Sequence, residues 1–226
     1  MPPVLRLHLF EHLPYARGLE LMRRLARRVR GGAAPALILC QHQPVVTLGR
    51  RVSPAEAESL RARLAAHGIP VFAVERGGLA TYHGPGQVVA YPVVSLPSLG
   101  LGVRELVTRL EEAVIAVLAE LGLAAGRRHD HPGVWVGPRK IASLGLAVRR
   151  GVSLHGLALN NCPSLEHFAL ISPCGLSPQT MTSLERETGR PAEPALLYRL
   201  LAVHLARGLG LEPVGEHHSF ARPTAG

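Results

Sequence analysis

The sequence predicts an α/β (α+β) fold, a mixed β-sheet with helices packed on it. Three observations predict this. Apolar runs of strand length are interspersed with amphipathic helical stretches, but not in strict alternation. Several strands follow one another with only a turn between them. Hydrophobic residues make up 47% of the 226 residues, enough for a substantial core. Strands joined by turns argue for antiparallel pairs and against a doubly wound nucleotide fold. The length suits one domain over 1–226, with a frayed tail at roughly 211–226.

Val4 to Phe10 reads as an opening strand. Pro14 to Arg30 reads as an amphipathic helix, with Leu19, Leu21, Met22 and Leu25 on one side and six arginines mostly on the other. Gly31 and Gly32 end it. Ala36 to Cys40 and Val45 to Leu48 are short apolar strands. Ser53-Pro54-Ala55-Glu56 is a helix start: Ser53 can cap, Pro54 suits the first helical position, and Glu56 can close a capping box. That helix runs to about His67, before Gly68. Val71 to Val74 is a strand entering a Gly-rich loop, and Gln87 to Val94 is another. Val103 to Leu121 is the longest helical pattern, with Leu106, Leu110, Val114 and Val117 as its buried stripe. Gly133 to Val136, Lys140 to Val148 and Ser153 to Leu159 are consecutive strands, and Glu193 to Leu209 is the closing helix.

Composition narrows the function. No apolar run has the length of a membrane span, and the first ten residues do not read as a signal peptide, so a cytoplasmic protein with no membrane partner is expected. The formal net charge of +9 suits acidic partners, whereas 4% aromatics leave few stacking platforms for nucleic acid. No metal is expected: the histidines at 129, 131, 217 and 218 lack ligand spacing. Cys40, Cys162 and Cys174 are odd in number and form no C-x-x-C pair, which argues against a disulfide framework or a cysteine zinc site. Of 25 basic residues one alone is lysine, Lys140. Lysine can gain and lose a proton where arginine cannot.

Three stretches carry chemistry. In Arg76 to Gln87, four glycines let the backbone approach a ligand, and Arg76, Thr81, Tyr82, His83 and Gln87 supply polar groups. The Gly-Lys-Ser/Thr ending of a phosphate-gripping loop is absent. Cys174 sits in a turn between Pro173 and Gly175, and Cys162, also in a loop, competes with it as an exposable thiol. Cys40 lies in an apolar run and reads as core. Lys140 opens a strand beside small residues, Ala142, Ser143, Gly145, Gly156 and Ala158, that leave room for an alkyl chain.

Arg-Gly-Gly-x-x-Thr-Tyr-His-Gly-Pro-Gly-Gln at 76–87, Lys-Ile-Ala-Ser-Leu-Gly at 140–145, His-Gly-Leu-Ala-Leu-Asn at 155–160, Pro-Cys-Gly-Leu at 173–176 and Thr182-Ser183-Leu184 together resemble the lipoyl(octanoyl) transferase family, in its order and spacing over nearly the whole chain. The resemblance implies a single catalytic acyltransferase domain with the biotin/lipoate A/B protein ligase-like fold and no cofactor. It implies Cys174 as nucleophile with Lys140 as its partner. It implies substrate contacts at Arg76, Gly77, Gly78, Leu79, Ala80, Thr81, Tyr82, His83, Ser143, Leu144, Gly145, Gly156, Leu157 and Ala158. The implied reaction moves an octanoyl (or lipoyl) group from acyl carrier protein to a lysine of lipoyl domains of 2-oxoacid dehydrogenases or the glycine cleavage H protein, the first step of endogenous protein lipoylation. The alternative is an ATP-dependent lipoate- or biotin-protein ligase, which the want of a second lysine weakens.

Overall fold

The computed structural model describes residues 3–129, 131–171, 177 and 180–217. One mixed sheet holds eight strands: β1 (Val4–Phe10), β2 (Ala36–Cys40), β6 (Gln87–Val93), β7 (Gly126–Arg127), β8 (Val134–Val136), β9 (Arg139–Arg149), β10 (Val152–Asn160) and β11 (Glu212–His217). Their order is β11-β1-β2-β6-β10-β9-β8-β7. The β11–β1 and β1–β2 pairs are parallel and the others antiparallel. A smaller sheet pairs β3 (Val45–Leu48) with β4 (Val71–Ala73) and with β5 (Ala80–His83).

Helices cover both faces of the large sheet. On one, α4 (Val103–Glu120) and α6 (Pro194–Leu209) pack against Leu5, Leu37, Leu39, Val88 and Ile141. The expected stripe Leu106, Leu110, Val114 and Val117 is fully buried, each side chain stabilising by about 1.5–3 kcal/mol. On the other face, α1 (Tyr15–Arg30) buries Met22, Leu25 and Val29 against Ile38, Cys40 and Val89. Under the small sheet, α2 (Pro54–Ala65) buries Leu60 and Leu64 with Tyr82, Phe168 and Met181. Ser53 caps α2 by accepting from the Glu56 amide at 3.2 Å, with Pro54 in the first turn. Short helices α3 (Leu96–Leu99) and α5 (Leu184–Thr188) and a 3₁₀ turn (Leu165–Leu170) lie in the connections between these elements.

Two segments depart from the sequence reading. Ala80–His83, expected within a loop, is strand β5; its partner β3 supplies the ladder that four glycines obscured. Glu212–His217, expected as part of a frayed tail, is an edge strand parallel to β1. Its polar, Pro- and Gly-containing sequence has no strand periodicity. The buried Leu211 and the backbone edge of β1 hold it instead.

Candidate active site

A narrow cavity opens where the two sheets meet. The Gly-rich segment, β9 and β10 supply Arg76, Thr81, His83, Ser143, Leu144, Gly145, Gly156, Leu157 and Ala158 to its lining. The structure thus brings together most of the residues singled out from sequence. Strand alternation sorts β5: Thr81 and His83 face the cavity, while Ala80 and Tyr82 turn into the core beneath the small sheet. Gly77 and Gly78 act through backbone. The Gly77 amide donates to the Leu146 carbonyl at 2.9 Å, and Gly78, at φ +88, gives its carbonyl oxygen to the Arg51 amide at 3.2 Å. Leu79 is partly buried, and its carbonyl accepts from the Gly49 amide at 3.2 Å.

Arg76 is buried and fixed. Its Nη2 donates to the Thr47 carbonyl at 2.7 Å and to the Thr47 hydroxyl at 2.9 Å, and its Nη1 donates to the Gly77 carbonyl at 2.9 Å. Its stem needs neighbouring glycines. A Cβ on Gly145 would stand 3.0 Å from the Arg76 Cδ, and one on Gly49 would stand 2.8 Å from its Nη1. The result is a cation held rigidly in a low-dielectric wall, suited to a carbonyl dipole or a developing oxyanion.

His83 is tied into a buried polar relay. Its Nδ1 lies 3.0 Å from Gln87 Oε1, Gln87 Nε2 donates to Asn160 Oδ1 at 2.9 Å, and Asn160 Nδ2 donates to the Thr182 carbonyl at 2.8 Å. Because Gln87 Oε1 accepts, Nδ1 carries the proton and Nε2 is left as an acceptor. Burial, with His42 next in importance, pulls the His83 pKa down to about 3, so the ring is neutral at physiological pH. Burial likewise lowers His42 and His155 to about 4 each. His42 is held between the Leu13 carbonyl at 2.6 Å and the Tyr91 hydroxyl at 2.8 Å. Tyr15 packs across His42, and Tyr15, His83, Tyr91 and His155 form an aromatic wall of the cavity.

Lys140 is buried, 2% exposed, near the start of β9. It does not line the cavity but stands three residues, about 10 Å of strand, from Ser143. Its stem crosses Gly133, where a Cβ would come within 2.4 Å of the Lys140 Cε, and Nζ lies 5.2 Å from the Trp135 ring centroid. The Lys140 carbonyl accepts from the Thr182 amide at 2.9 Å, so the relay from His83 ends on the segment paired with Lys140. Thr182 is braced by Glu187, which also holds Arg139 through two 2.7 Å bonds.

Cys174 lies outside the described residues. The other two thiols are not activated. Cys40 is fully buried and burial pushes its thiol far up; Cys162, in the loop beside Gly86, is also raised, by burial and then by Glu185. Sequence reading missed Tyr15, Thr47, Tyr91 and the lining role of His155. A lone threonine in the apolar run Val45-Val46-Thr47-Leu48 was the one signal available.

The fold is that of the lipoate- and biotin-protein ligases. A solved lipoate-protein ligase A bound with ATP superposes with TM-score 0.76 at 21% identity, over 96% of this chain and 90% of that one. A biotin protein ligase from Aquifex aeolicus gives 0.52 at 11% identity, over 90% and 68%. At such identities the likeness speaks for fold alone. Sequence goes further. Residues 14–206 match the lipoyl protein ligase A/B catalytic domain, and the chain belongs to that family. It groups there with octanoyltransferases: that of Syntrophobacter fumaroxidans is 44% identical over 86% of each chain, and that of Alkaliphilus metalliredigens 45% identical over 75% of this chain and 78% of its own.

Proposed function

We propose that this acyltransferase moves an octanoyl group from an acyl carrier protein thioester to Cys174, and from there to a lysine of a lipoyl domain. One observation carries the mechanism. The chain's single lysine is buried on the strand that also supplies the cavity wall, and its backbone is tied to the segment eight residues beyond Cys174. The raised thiols of Cys40 and Cys162 support Cys174 by elimination.

In the first step the Cys174 thiolate attacks the thioester carbonyl. The tetrahedral oxyanion collapses to expel the carrier's thiolate, which takes up a proton. A free thiol with a pKa of about 8.5 is only a few per cent ionised at neutral pH, so a nearby ammonium raises the reactive fraction. Thioester exchange is nearly isoenergetic and keeps the acyl group activated. In the second step a neutral amine attacks, loses a proton and expels Cys174; amide formation is downhill and uses no ATP. The acceptor lysine has a solution pKa of about 10.4, so a base must take its proton, a task open to Lys140 and closed to arginine. Arg76 steadies the carbonyl oxygen, and neutral His83 presents its acceptor Nε2 to an N–H of the substrate. The acidity typical of both protein partners suits the net charge of +9.

The chain incubated with octanoyl-carrier protein and a lipoyl domain, without nucleotide, should add one octanoyl group to the domain by intact mass. Modification that instead required ATP and free octanoate would establish the ligase reading.

A further inference from the structure

Beside the cavity lies a second hollow, lined in part by Arg23, Arg27, Arg30, Glu75, Arg149 and Arg150. Five cations thus face one carboxylate. Arg23, Arg27 and Arg30 project from one face of α1, at the i, i+4, i+7 spacing. Arg149 and Arg150 come from the turn joining β9 to β10. Arg23 is engaged, its Nη2 lying 3.2 Å from Glu75 Oε2. Among the described residues, none of Arg27, Arg30, Arg149 and Arg150 has a carboxylate within ion-pair distance.

The turn sharpens the point. Arg150 and Gly151 are its two central residues, at φ +52 and +79. Two-residue hairpins with both residues at positive φ favour Asn or Asp before Gly. An arginine there strains the backbone and places a cation at the rim of the groove. The two hollows adjoin through Glu75, whose Oε2 is 3.6 Å from Nε2 of His155 in the cavity wall.

We propose that this groove binds the phosphodiester of the donor's prosthetic arm, an inference that rests on the carrier-protein reading above. An acyl carrier protein presents its thioester at the end of a pantetheine arm joined to the protein through a phosphodiester. Arginine forks match phosphate oxygens in geometry and charge. The groove adjoins the slot in which the thioester end must react. The acceptor's lysine arm carries no anion, so this concentration of guanidinium groups serves the donor half-reaction.

The test compares octanoyl-carrier protein, octanoyl-phosphopantetheine and octanoyl-pantetheine as donors to the full chain. The wild-type protein should use the phosphorylated small donor about tenfold better in kcat/KM, the weight of one charged hydrogen bond. In Arg27→Gln/Arg149→Gln that ratio should fall toward one. Arg24→Gln, which lines a different hollow, should leave it unchanged. Arg150→Asn removes one rim charge while suiting the turn, and gives a well-folded second variant that should lower the ratio too. A wild-type ratio near one, an undiminished ratio in the variants, or a loss confined to the acceptor's KM would each overturn the groove assignment. If the wild type took no octanoyl group even from carrier protein, the donor reading itself would fall, and the groove with it.

Discussion

Lowering the pH from 7 to 5 is expected to destabilise the fold by about 5 kcal/mol through three imidazoles around the cavity. Desolvation is the largest cause in each case and holds folded His42, His83 and His155 at about 4, about 3 and about 4, against 6.5 when free. As the pH falls through 6.5 the unfolded chain protonates all three while the folded chain does not. The unfolded state then binds more protons, so stability is lost progressively from about 6.5 down toward 4. At about 1.4 kcal/mol per pH unit, each ring loses about 2 kcal/mol by pH 5. Glu111, raised by burial, works in the opposite sense and trims the total. Urea denaturation followed by Trp135 fluorescence at pH 7, 6 and 5 measures the slope. His83→Asn should remove about a third of it. A midpoint unchanged from pH 7 to 5, or an unaltered slope in that variant, would refute the desolvation argument.

Gly156→Ala would place a Cβ 2.1 Å from the Ala90 carbonyl oxygen and 2.7 Å from Pro92 Cδ. Forcing β6 and β10 apart should cost about 3 kcal/mol or more, read as a fall in Tm. Ser53→Ala deletes the cap on α2 and should cost about 1 kcal/mol in chemical denaturation while leaving octanoyl transfer intact. Lys140→Arg keeps the charge but not the exchangeable proton. Amide formation in the second half-reaction should slow by at least about a hundredfold, and a near-normal single-turnover rate would remove proton transfer from its role.

Much of the fold was legible because period and punctuation agreed. The α4 stripe and the Ser53-Pro54 start of α2 repeat local rules that tertiary packing did not override. Strand β11 was illegible because its pairing comes from the edge of β1 and not from its own side chains. At the site, the motifs located Arg76, Thr81, His83 and the β9 and β10 walls. They could not show that β5 turns Tyr82 away from the cavity, since a strand hidden in a glycine-rich segment conceals which residues alternate. Tyr15 and Tyr91 were hidden for another reason: α1 and β6 approach one another only in three dimensions.

The most direct test of the central claim is the mass of the protein itself after exposure to octanoyl-carrier protein alone. The wild type should gain a single octanoyl group that neutral hydroxylamine removes, as should Cys40→Ser and Cys162→Ser, whereas Cys174→Ser should gain no hydroxylamine-labile group. A labile octanoyl adduct forming on Cys174→Ser at the wild-type rate would contradict the account.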